Sequence, residues 1–418
     1  LVVENGEIQK PDMVDAYQID NWAEKPYDFP PQPFYDYMGI DMLMFRDANF
    51  WPDLPTSAEK ALALYSYGQD QPALDGVIAI DQEFLRLLVE ATGPVTIAES
   101  NITINTQNAI ETMQNAWGAR ETDDNAAWYA NRKSFIGIFA AAVLDQIQND
   151  FASVDPVIMA KNMKTALAAK HLQLYLHNAE ATAVLDENGW NGRLVPPVNQ
   201  DFLAVVDTNM GFNKVNLHIQ RTTAYQVALN ETGTGKAQLD ITYSHNGQRS
   251  NTECVQFSSE NYLNESAYLN LAENCYWNYV RIYVPAGSQL ISGSEHDIPG
   301  EFMRSGQPVH SETGTLNEQA GFTTWDNFLL VPYGERVSLN YNYTLPSITT
   351  SGEDGTTQYQ LTVYKQAGAK PEPVSVSITL PDGTSLVDAF PKPSKIEGTT
   401  VLFEIILDAD KNISVTYQ

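Results

Sequence analysis

The segments FRDANFWPDLPTSA (residues 45–58) and DGVIAIDQEFLRLLVEATGPVTI (residues 75–97) are the most informative part of this 418-residue chain. Residues 75–80 form a short apolar run that is typical of a buried strand. Asp81 follows as the expected N-cap of an amphipathic helix, and a Gly-Pro pair ends that helix before a second strand. Because strands and helices that alternate at these lengths are typical of α/β domains, we predict an α/β domain over residues 1–200.

The chain changes character after residue 200, where apolar and polar residues alternate and turn sequences recur. The predicted strands cover residues 215–223, 225–229, 237–244, 279–284, 336–343, 358–365, 374–379, 401–406 and 413–417. We predict an antiparallel β-sandwich over residues 201–366, and strands in residues 367–418 that complete it or form a small second β module. The expected fold class is therefore α+β and multi-domain, with an N-terminal α/β domain followed by one or more antiparallel β-sandwich modules.

The composition excludes two classes of partner. The chain carries 24 Lys and Arg against 52 Asp and Glu, which gives a formal net charge of −28. A nucleic acid requires a basic face on its partner, and an anionic lipid surface repels an acidic chain. The negative charge is typical of a soluble surface protein, and it would also allow the protein to bind divalent cations.

Cys254 and Cys275 are the only cysteines in the chain. Their proximity in an Asn-rich region, with no other cysteine to compete, favours a disulfide, and two free thiols are the alternative. A disulfide would mean that the protein works outside the cytoplasm, because cytoplasmic thiols are kept reduced.

Arg46 and Asp47 are the first candidates for chemistry. The Arg46 guanidinium can grip a phosphate while Asp47 and Asp53 hold a divalent ion such as Mg²⁺. The alternative is a salt bridge between Arg46 and Asp47 that fixes a loop. Arg132 and Lys133, on a predicted long helix, are a second candidate anion contact, and a solvated helix face is their alternative.

The aromatic content allows a further hypothesis, which is sugar binding by the C-terminal half. The 21 tyrosines and seven tryptophans can form stacking platforms for sugar rings. Tyrosine in strands more often packs half-buried with its hydroxyl in water, so ordinary packing is the alternative.

Seven segments, taken in order, resemble the bacterial family called domain of unknown function 4012. They are the two segments quoted above, NRKSFIGIFAAAVLDQI (131–147), ENGWNGRL (187–194), DFLAVVDTNMGFNKVN (201–216), YWNYVRIYVPAGSQL (276–290) and YQLTVYKQAG (359–368). The resemblance runs over essentially the whole chain. Members of that family are anchored in the membrane by an N-terminal helix, with the rest outside the cell. Because this chain starts in a strand-like segment, we expect that an anchor was processed off or left out.

The N-terminal half also resembles the LytR-CpsA-Psr proteins, which transfer glycopolymers from polyprenyl pyrophosphate carriers onto peptidoglycan. This resemblance implies that Arg46 grips the pyrophosphate and that Asp47 places Mg²⁺. It also implies that Arg132 and Lys133 correspond to an Arg-Gln pair of those enzymes. The remaining arginines of that site have few candidates here, since the chain is poor in basic residues.

We therefore expect a non-catalytic protein on the extracellular face of a bacterial cell envelope, either secreted or membrane-anchored. It would act through protein or glycan interactions, with other envelope proteins or with copies of itself. The alternative is a LytR-CpsA-Psr-like glycopolymer transferase that uses Mg²⁺ and polyprenyl pyrophosphate-linked substrates.

Overall fold

A computed structural model describes residues 2–4, 7–8, 14–68, 71–97, 101–118, 134–247, 254–257 and 271–418. These residues form two compact units. Unit 1 takes its described residues from Leu1–Pro31 and Asp41–Leu194, and unit 2 takes them from Gln32–Ile40, Val195–Phe257 and Leu271–Gln418. The fold is mixed α+β, as the sequence predicts. The short segment Gln32–Ile40 belongs to unit 2, although its position in the chain suggests the N-terminal domain.

The described residues form seven α-helices. They are α1 (Gln32–Met38), α2 (Leu54–Tyr65), α3 (Gln82–Thr92), α4 (Ala109–Gly118), α5 (Ser134–Asn149), α6 (Pro156–Ala168) and α7 (Ala179–Asn188). All except α1 belong to unit 1. None of these helices has the length and apolar content needed to cross a bilayer.

The strands of unit 1 form three small antiparallel sheets. The strands are β1 (Val3–Glu4), β2 (Glu7–Ile8), β3 (Gly76–Ile80), β4 (Val95–Ile97), β5 (Ile102–Ile104) and β6 (Leu172–Leu176). β1 pairs with β2, β3 with β6, and β4 with β5. Strand, helix and strand do follow one another at residues 76–97, but β3 and β4 lie in different sheets. The prediction of an α/β domain is wrong in this respect, because the described strands share no parallel sheet.

Local capping signals explain where the helices of unit 1 begin and end. The Asp81 carboxylate accepts a hydrogen bond from the Phe84 backbone N–H at 3.0 Å, which starts α3. Gly93 ends α3 with φ of 78°, a conformation that favours glycine. α2 begins at Leu54 because Asp53 is its N-cap.

The core of unit 1 lies where helices pack on the β4–β5 hairpin. Its fully buried members come from α3, β4, β5, α4 and α5, namely Leu85, Val89, Val95, Ile97, Ile104, Ala109, Met113, Phe139 and Val143. A smaller cluster joins Leu87 of α3, Ala166 of α6 and Leu172 of β6. The two clusters fix α3 between the β4–β5 hairpin on one side and β6 on the other.

Unit 2 is a sandwich of two large sheets. Its strands are β7 (Asp201–Asn209), β8 (Ile219–Leu229), β9 (Gly235–His245), β10 (Tyr276–Pro285), β11 (Gln289–Gly293), β12 (His296–Ile298), β13 (Val309–Ser311), β14 (Gly314–Leu316), β15 (Phe322–Val331), β16 (Arg336–Leu345), β17 (Thr349–Ser351), β18 (Thr357–Tyr364), β19 (Glu372–Thr379), β20 (Leu386–Phe390), β21 (Lys395–Glu397), β22 (Thr400–Leu407) and β23 (Lys411–Tyr417). Within it, β12 and β13 form a separate hairpin.

One sheet has the order β14-β15-β10-β7-β18-β23-β20, with β17 added to β18, and the other has the order β11-β16-β9-β8-β19-β22-β21. The strands after residue 367 thus belong to the same two sheets as the earlier ones. Most neighbours are antiparallel, but β7 with β18 and β8 with β19 are parallel pairs. The expectation of a purely antiparallel sandwich is therefore wrong at these two places, where the chain returns beside its own first strands.

Tyrosines fill much of the space between the two sheets. Tyr225, Tyr341, Tyr343 and Tyr359 are fully buried there, together with Trp325. On the same unit, the Tyr37 ring of α1 stacks on Phe328 with ring centroids 3.9 Å apart. Tyr37 also lies near Tyr279 of β10, with ring centroids 6.0 Å apart, and β10 is buried along its whole length.

Candidate functional site

Arg46 and Asp47 lie together in a 3-10 turn, Phe45–Asp47. Arg46 Nε is 3.7 Å from Asp47 Oδ1, and the guanidinium carbon is 4.7 Å from the centroid of the Tyr17 ring. The Met44 backbone N–H donates to Asp47 Oδ2 at 3.4 Å. Burial raises the pKa of the Asp47 carboxyl, while the charge of Arg46 acts to lower it. These contacts are those of a salt bridge that fixes a loop, and the Arg46 side chain keeps 31% of its surface exposed.

Asp53 is held inside unit 1 by hydrogen bonds to both carboxylate oxygens. Its Oδ2 accepts from the Thr56 N–H at 3.1 Å and from the Thr56 hydroxyl at 2.7 Å. Its Oδ1 accepts from the Leu194 N–H at 2.9 Å. Asp53 is only 4% exposed, so it ties the start of α2 to the chain that follows α7.

Arg132 and Lys133 lie outside the described residues. In the described part of the chain, no three His, Cys, Asp or Glu side chains converge as a metal ion would require. The roles of Asp47 and Asp53 toward Mg²⁺ stay predictions.

The predicted disulfide is confirmed. Cys254 and Cys275 are bonded, with their Cα atoms 5.2 Å apart. Both belong to unit 2, where the Asn213 side-chain amide donates to the Cys275 carbonyl at 2.9 Å. A disulfide of this kind indicates an oxidising compartment.

A different site comes from the structure, an open groove of about 430 Å³ in unit 1. Its lining residues come from α2, β6, α7 and the segment after α7: Pro55, Glu59, Tyr175, Leu176, His177, Ala179, Thr182, Ala183, Asp186 and Arg193. We call this feature the α2–β6–α7 groove. The sequence does not reveal it, because its side chains come from two stretches far apart in the chain, residues 55–59 and 175–193. Two of the quoted segments touch it, FRDANFWPDLPTSA through Pro55 and ENGWNGRL through Arg193.

An aromatic pair and a carboxylate form one wall of the groove. The Tyr175 hydroxyl donates to Glu59 Oε1 at 3.1 Å. The Tyr175 and His177 rings meet edge to face, with centroids 5.7 Å apart and an interplanar angle of 85°. Partial burial, followed by the hydrogen bond to Glu59, raises the pKa of Tyr175, so its hydroxyl remains a donor at neutral pH.

An ion pair also lines the groove. Arg193 Nε donates to Asp186 Oδ1 at 2.8 Å, and the Asn191 side-chain amide donates to the same oxygen. The hydrogen bond from Arg193 is the main cause that lowers the pKa of Asp186 below its ordinary value. Both side chains are about two-fifths exposed, at 43% for Arg193 and 41% for Asp186. The groove therefore exposes a positively charged hydrogen-bond donor, Arg193, and a negatively charged acceptor, Asp186, to solvent.

The start of α7 is fixed directly beside the groove. The Asn178 side chain caps the helix by accepting from the Ala181 N–H at 2.9 Å. The Thr182 hydroxyl donates to the Leu176 carbonyl at 2.7 Å, which ties α7 to the end of β6. The groove wall is thus built on regular elements, so its polar groups have defined positions.

Comparison with known proteins gives one family match. Residues 1–117 match the family described as "Protein of unknown function (DUF4012)". The resembling segments after residue 117 lie outside that match. No curated protein matches the chain.

Solved structures match only distantly. A candidate nutrient binding protein of Legionella pneumophila subsp. pneumophila str. Philadelphia 1 has 11% identity and a TM-score of 0.31, with 52% of this chain and 70% of that chain covered. An M1 zinc metallopeptidase of Deinococcus radiodurans has 9% identity and a TM-score of 0.24, with 48% and 42% covered. Leukotriene A4 hydrolase of Saccharomyces cerevisiae has 7% identity and a TM-score of 0.28, with 50% and 31% covered. The chain thus spans less than half the length of either enzyme, and TM-scores this low carry no inference.

Proposed function

We propose that this chain is a non-catalytic protein of a bacterial cell envelope or cell surface, and that it acts by binding a glycan or a protein partner. The observation that carries the proposal is the α2–β6–α7 groove. Its polar side chains are already paired with one another, Tyr175 with Glu59 and Asp186 with Arg193. Pairs of this kind position hydrogen-bonding groups for a ligand without activating a nucleophile.

The groove suits a glycan better than a strongly charged ligand. A sugar ring presents C–H groups that pack on aromatic side chains, and hydroxyls that both donate and accept. Tyr175 and His177 supply the aromatic wall, while Glu59 and the Asp186–Arg193 pair supply acceptors and donors. A volume of about 430 Å³ lies within the range of small-ligand sites.

The disulfide in unit 2 supports a place outside the cytoplasm. The match of residues 1–117 to family DUF4012 supports a relation to that family without giving an activity, because the family is described as one of unknown function. The location at an envelope rests on the resemblance of the whole chain to the same family.

A LytR-CpsA-Psr-like transferase is the second candidate, and the partly exposed Arg46 beside Asp47 is the observation that favours it. The ion pairs of the three described arginines of unit 1 argue against a transferase. Arg46 pairs with Asp47, Arg86 with Glu83 at 2.6 Å, and Arg193 with Asp186. No described arginine of this unit lacks a carboxylate partner, whereas a pyrophosphate site needs guanidinium groups that are available to the ligand.

A glycan array tests the proposed groove. The full chain is compared with Tyr175→Ala and Arg193→Ala, and Trp22→Ala serves as the control, because Trp22 is an exposed aromatic residue outside the groove. We expect saturable binding to a restricted set of glycans, weakened about tenfold or more by either groove substitution and unchanged by the control. Binding that both groove variants retain would contradict a role for the groove.

A further inference from the structure

The strand β3 forms one edge of the two-stranded sheet that it makes with β6. Among the described strands it pairs with β6 alone. The ends of the ladder fix which residues face the partner. The His177 N–H donates to the Asp75 carbonyl at 2.9 Å, and the Asp81 N–H donates to the His171 carbonyl at 3.2 Å. Because hydrogen-bonded positions alternate along an antiparallel pair, the odd-numbered residues of this segment face β6.

The even-numbered residues of β3 therefore direct their backbone groups away from β6. They are Gly76, Ile78 and Ile80, and no described residue forms a backbone hydrogen bond with them across that edge. Such a row of N–H and C=O groups is a template for another strand.

Two apolar side chains stand beside this open edge. Ile78 is 51% exposed and Ile80 is 50% exposed. Across the ladder they face Leu174 and Leu172, which lie on the side of the sheet that packs against Leu87 and its neighbours. A strand added to the edge would cover the exposed parts of both isoleucines and extend this apolar face.

The edges of the sandwich in unit 2 carry features that discourage strand addition, whereas β3 does not. The outermost strands there are β11, β14, β20 and β21. β11 and β20 each contain a register shift in their pairing. β14 and β21 are only three residues long, and β21 carries Lys395 and Glu397. β3 has five residues with no charge, proline or register shift, so it lacks the usual protection.

We propose that the outer edge of β3 is a docking site for an extended segment of a partner protein, with an apolar centre and basic residues at its ends. Charge selects this partner. The exposed Asp75 and the half-buried Asp81 flank the apolar strand, and the chain carries a net charge of −28. A segment with basic ends would place opposite charges near both aspartates.

A second copy of the chain fits the same edge poorly. In an antiparallel pair centred on Ile78, Asp75 of one copy would lie opposite Asp81 of the other. Like charges directly opposite each other destabilise a strand pair, and both copies carry the same large negative charge. The groove residues Tyr175 and Leu176 pair with the inner edge of β3, whereas the proposed site is its outer edge, so this proposal stands without the groove.

Fluorescence anisotropy with labelled peptides tests the docking site on the full chain. The probe is the heptapeptide Lys-Val-Thr-Val-Thr-Val-Lys, and its matched controls have glutamate at both ends or proline at the centre. We expect saturable binding of the lysine peptide, about tenfold weaker binding of the glutamate peptide, and none of the proline peptide, which cannot complete the ladder.

Two variants locate the binding on β3. Ile78→Lys puts a positive charge beside the edge, and Ile78→Pro removes one outward N–H while leaving the bonds to β6. Either should weaken binding of the lysine peptide about tenfold or more. Val157→Lys is the control, because Val157 of α6 is 76% exposed and lies outside β3. Arg193→Ala, which alters the groove outside the β3–β6 sheet, should leave peptide binding unchanged.

Three results would overturn the proposal. One is the absence of saturable binding by the lysine peptide, and another is equal binding of all three peptides. The third is light scattering that shows a dimer of the full chain which Ile78→Lys dissociates, because a second copy would then occupy the edge.

Discussion

One arginine in each unit pairs with an aspartate, but the two pairs differ in burial. In unit 2, Arg221 lies between the sheets with 7% of its side chain exposed, and it pairs with Asp207 at 2.6 Å and with Glu372. In unit 1, Arg46 pairs with Asp47 at 3.7 Å and keeps 31% of its side chain exposed. The same residue types are buried between the sheets in one place and remain partly exposed in the other. An ion pair between Arg and Asp therefore indicates a binding site only when its side chains are known to be exposed.

Buried polar groups in unit 2 are joined into networks. The Asp201 carboxylate accepts hydrogen bonds from the Tyr225 hydroxyl at 2.9 Å and the Tyr359 hydroxyl at 2.6 Å. Asp207 also accepts from the Asn278 amide at 2.8 Å. Because each carboxylate has several partners, removal of one member leaves the others buried and unsatisfied.

The largest effect is expected from Arg221→Ala. The substitution leaves Asp207 and Glu372 buried without their cation, which typically costs about 3–5 kcal/mol of the free energy of unfolding. Urea unfolding measures the loss. Arg193→Ala is the matched control, and its exposed pair should cost about 0–1 kcal/mol. Equal losses in the two variants would remove the distinction between the units.

The disulfide comes next, and it tests whether unit 2 depends on a covalent link as well as on its packing. Cys254 and Cys275 are 21 residues apart in sequence. Closing a loop of this length stabilises a fold by about 3 kcal/mol in the chain-entropy model. We expect the Cys254→Ala/Cys275→Ala variant to lose about that amount in urea unfolding. A variant as stable as the wild type would show that the network of unit 2 suffices alone.

The buried Asp201 makes the stability of unit 2 depend on pH. Burial raises the pKa of Asp201 from 3.8 to about 6, with the two tyrosine hydrogen bonds acting in the opposite direction. The folded state therefore binds this proton more tightly than the unfolded state does. Stability from this group is present below pH 3.8 and is lost as the pH rises to about 6, by roughly 2–3 kcal/mol.

Urea unfolding between pH 4 and pH 7 measures this loss. We expect the free energy of unfolding to fall more steeply with rising pH in the wild type than in Asp201→Asn, whose side chain does not titrate. Parallel profiles for the two proteins would contradict a raised pKa for Asp201.

The smallest effect is expected from Arg46→Ala. Its pair with Asp47 is partly exposed, so the loss in the free energy of unfolding should be about 1 kcal/mol or less. Thermal unfolding of the wild type and the variant gives the comparison. A loss as large as that of Arg221→Ala would show that Arg46 contributes as much to stability as a buried arginine, and would contradict this prediction.

Local signals in the sequence predicted part of the fold. Asp81 caps α3 through its own carboxylate, as the sequence predicts, and such a cap depends only on the next three residues. Several of the later strands were predicted within a few residues, as with β10 at 279–284 against Tyr276–Pro285. Residues 215–223 and 225–229, predicted as two strands, instead form the single strand β8 from Ile219 to Leu229. The disulfide was also predicted, because two cysteines leave a single pairing.

Long-range pairing was not predictable from the same signals. The strand–helix–strand pattern at residues 75–97 predicted an α/β domain, but β3 and β4 lie in different sheets, and each pairs with a strand that periodicity does not identify. β7 and β15 were missed as strands although they occupy the middle of a sheet. The groove was missed because Glu59 and Tyr175 are distant in sequence and meet only after β6 packs beside α2.

Isothermal titration of geranyl pyrophosphate, with and without Mg²⁺, tests most directly whether the chain is a binding protein or a transferase. The wild type is compared with Arg46→Ala, and Arg86→Ala is the control, since Arg86 is also a paired, partly exposed arginine of unit 1. We predict no Mg²⁺-dependent binding in any of the three proteins. Mg²⁺-dependent binding that Arg46→Ala loses and Arg86→Ala keeps would contradict the account and favour the transferase.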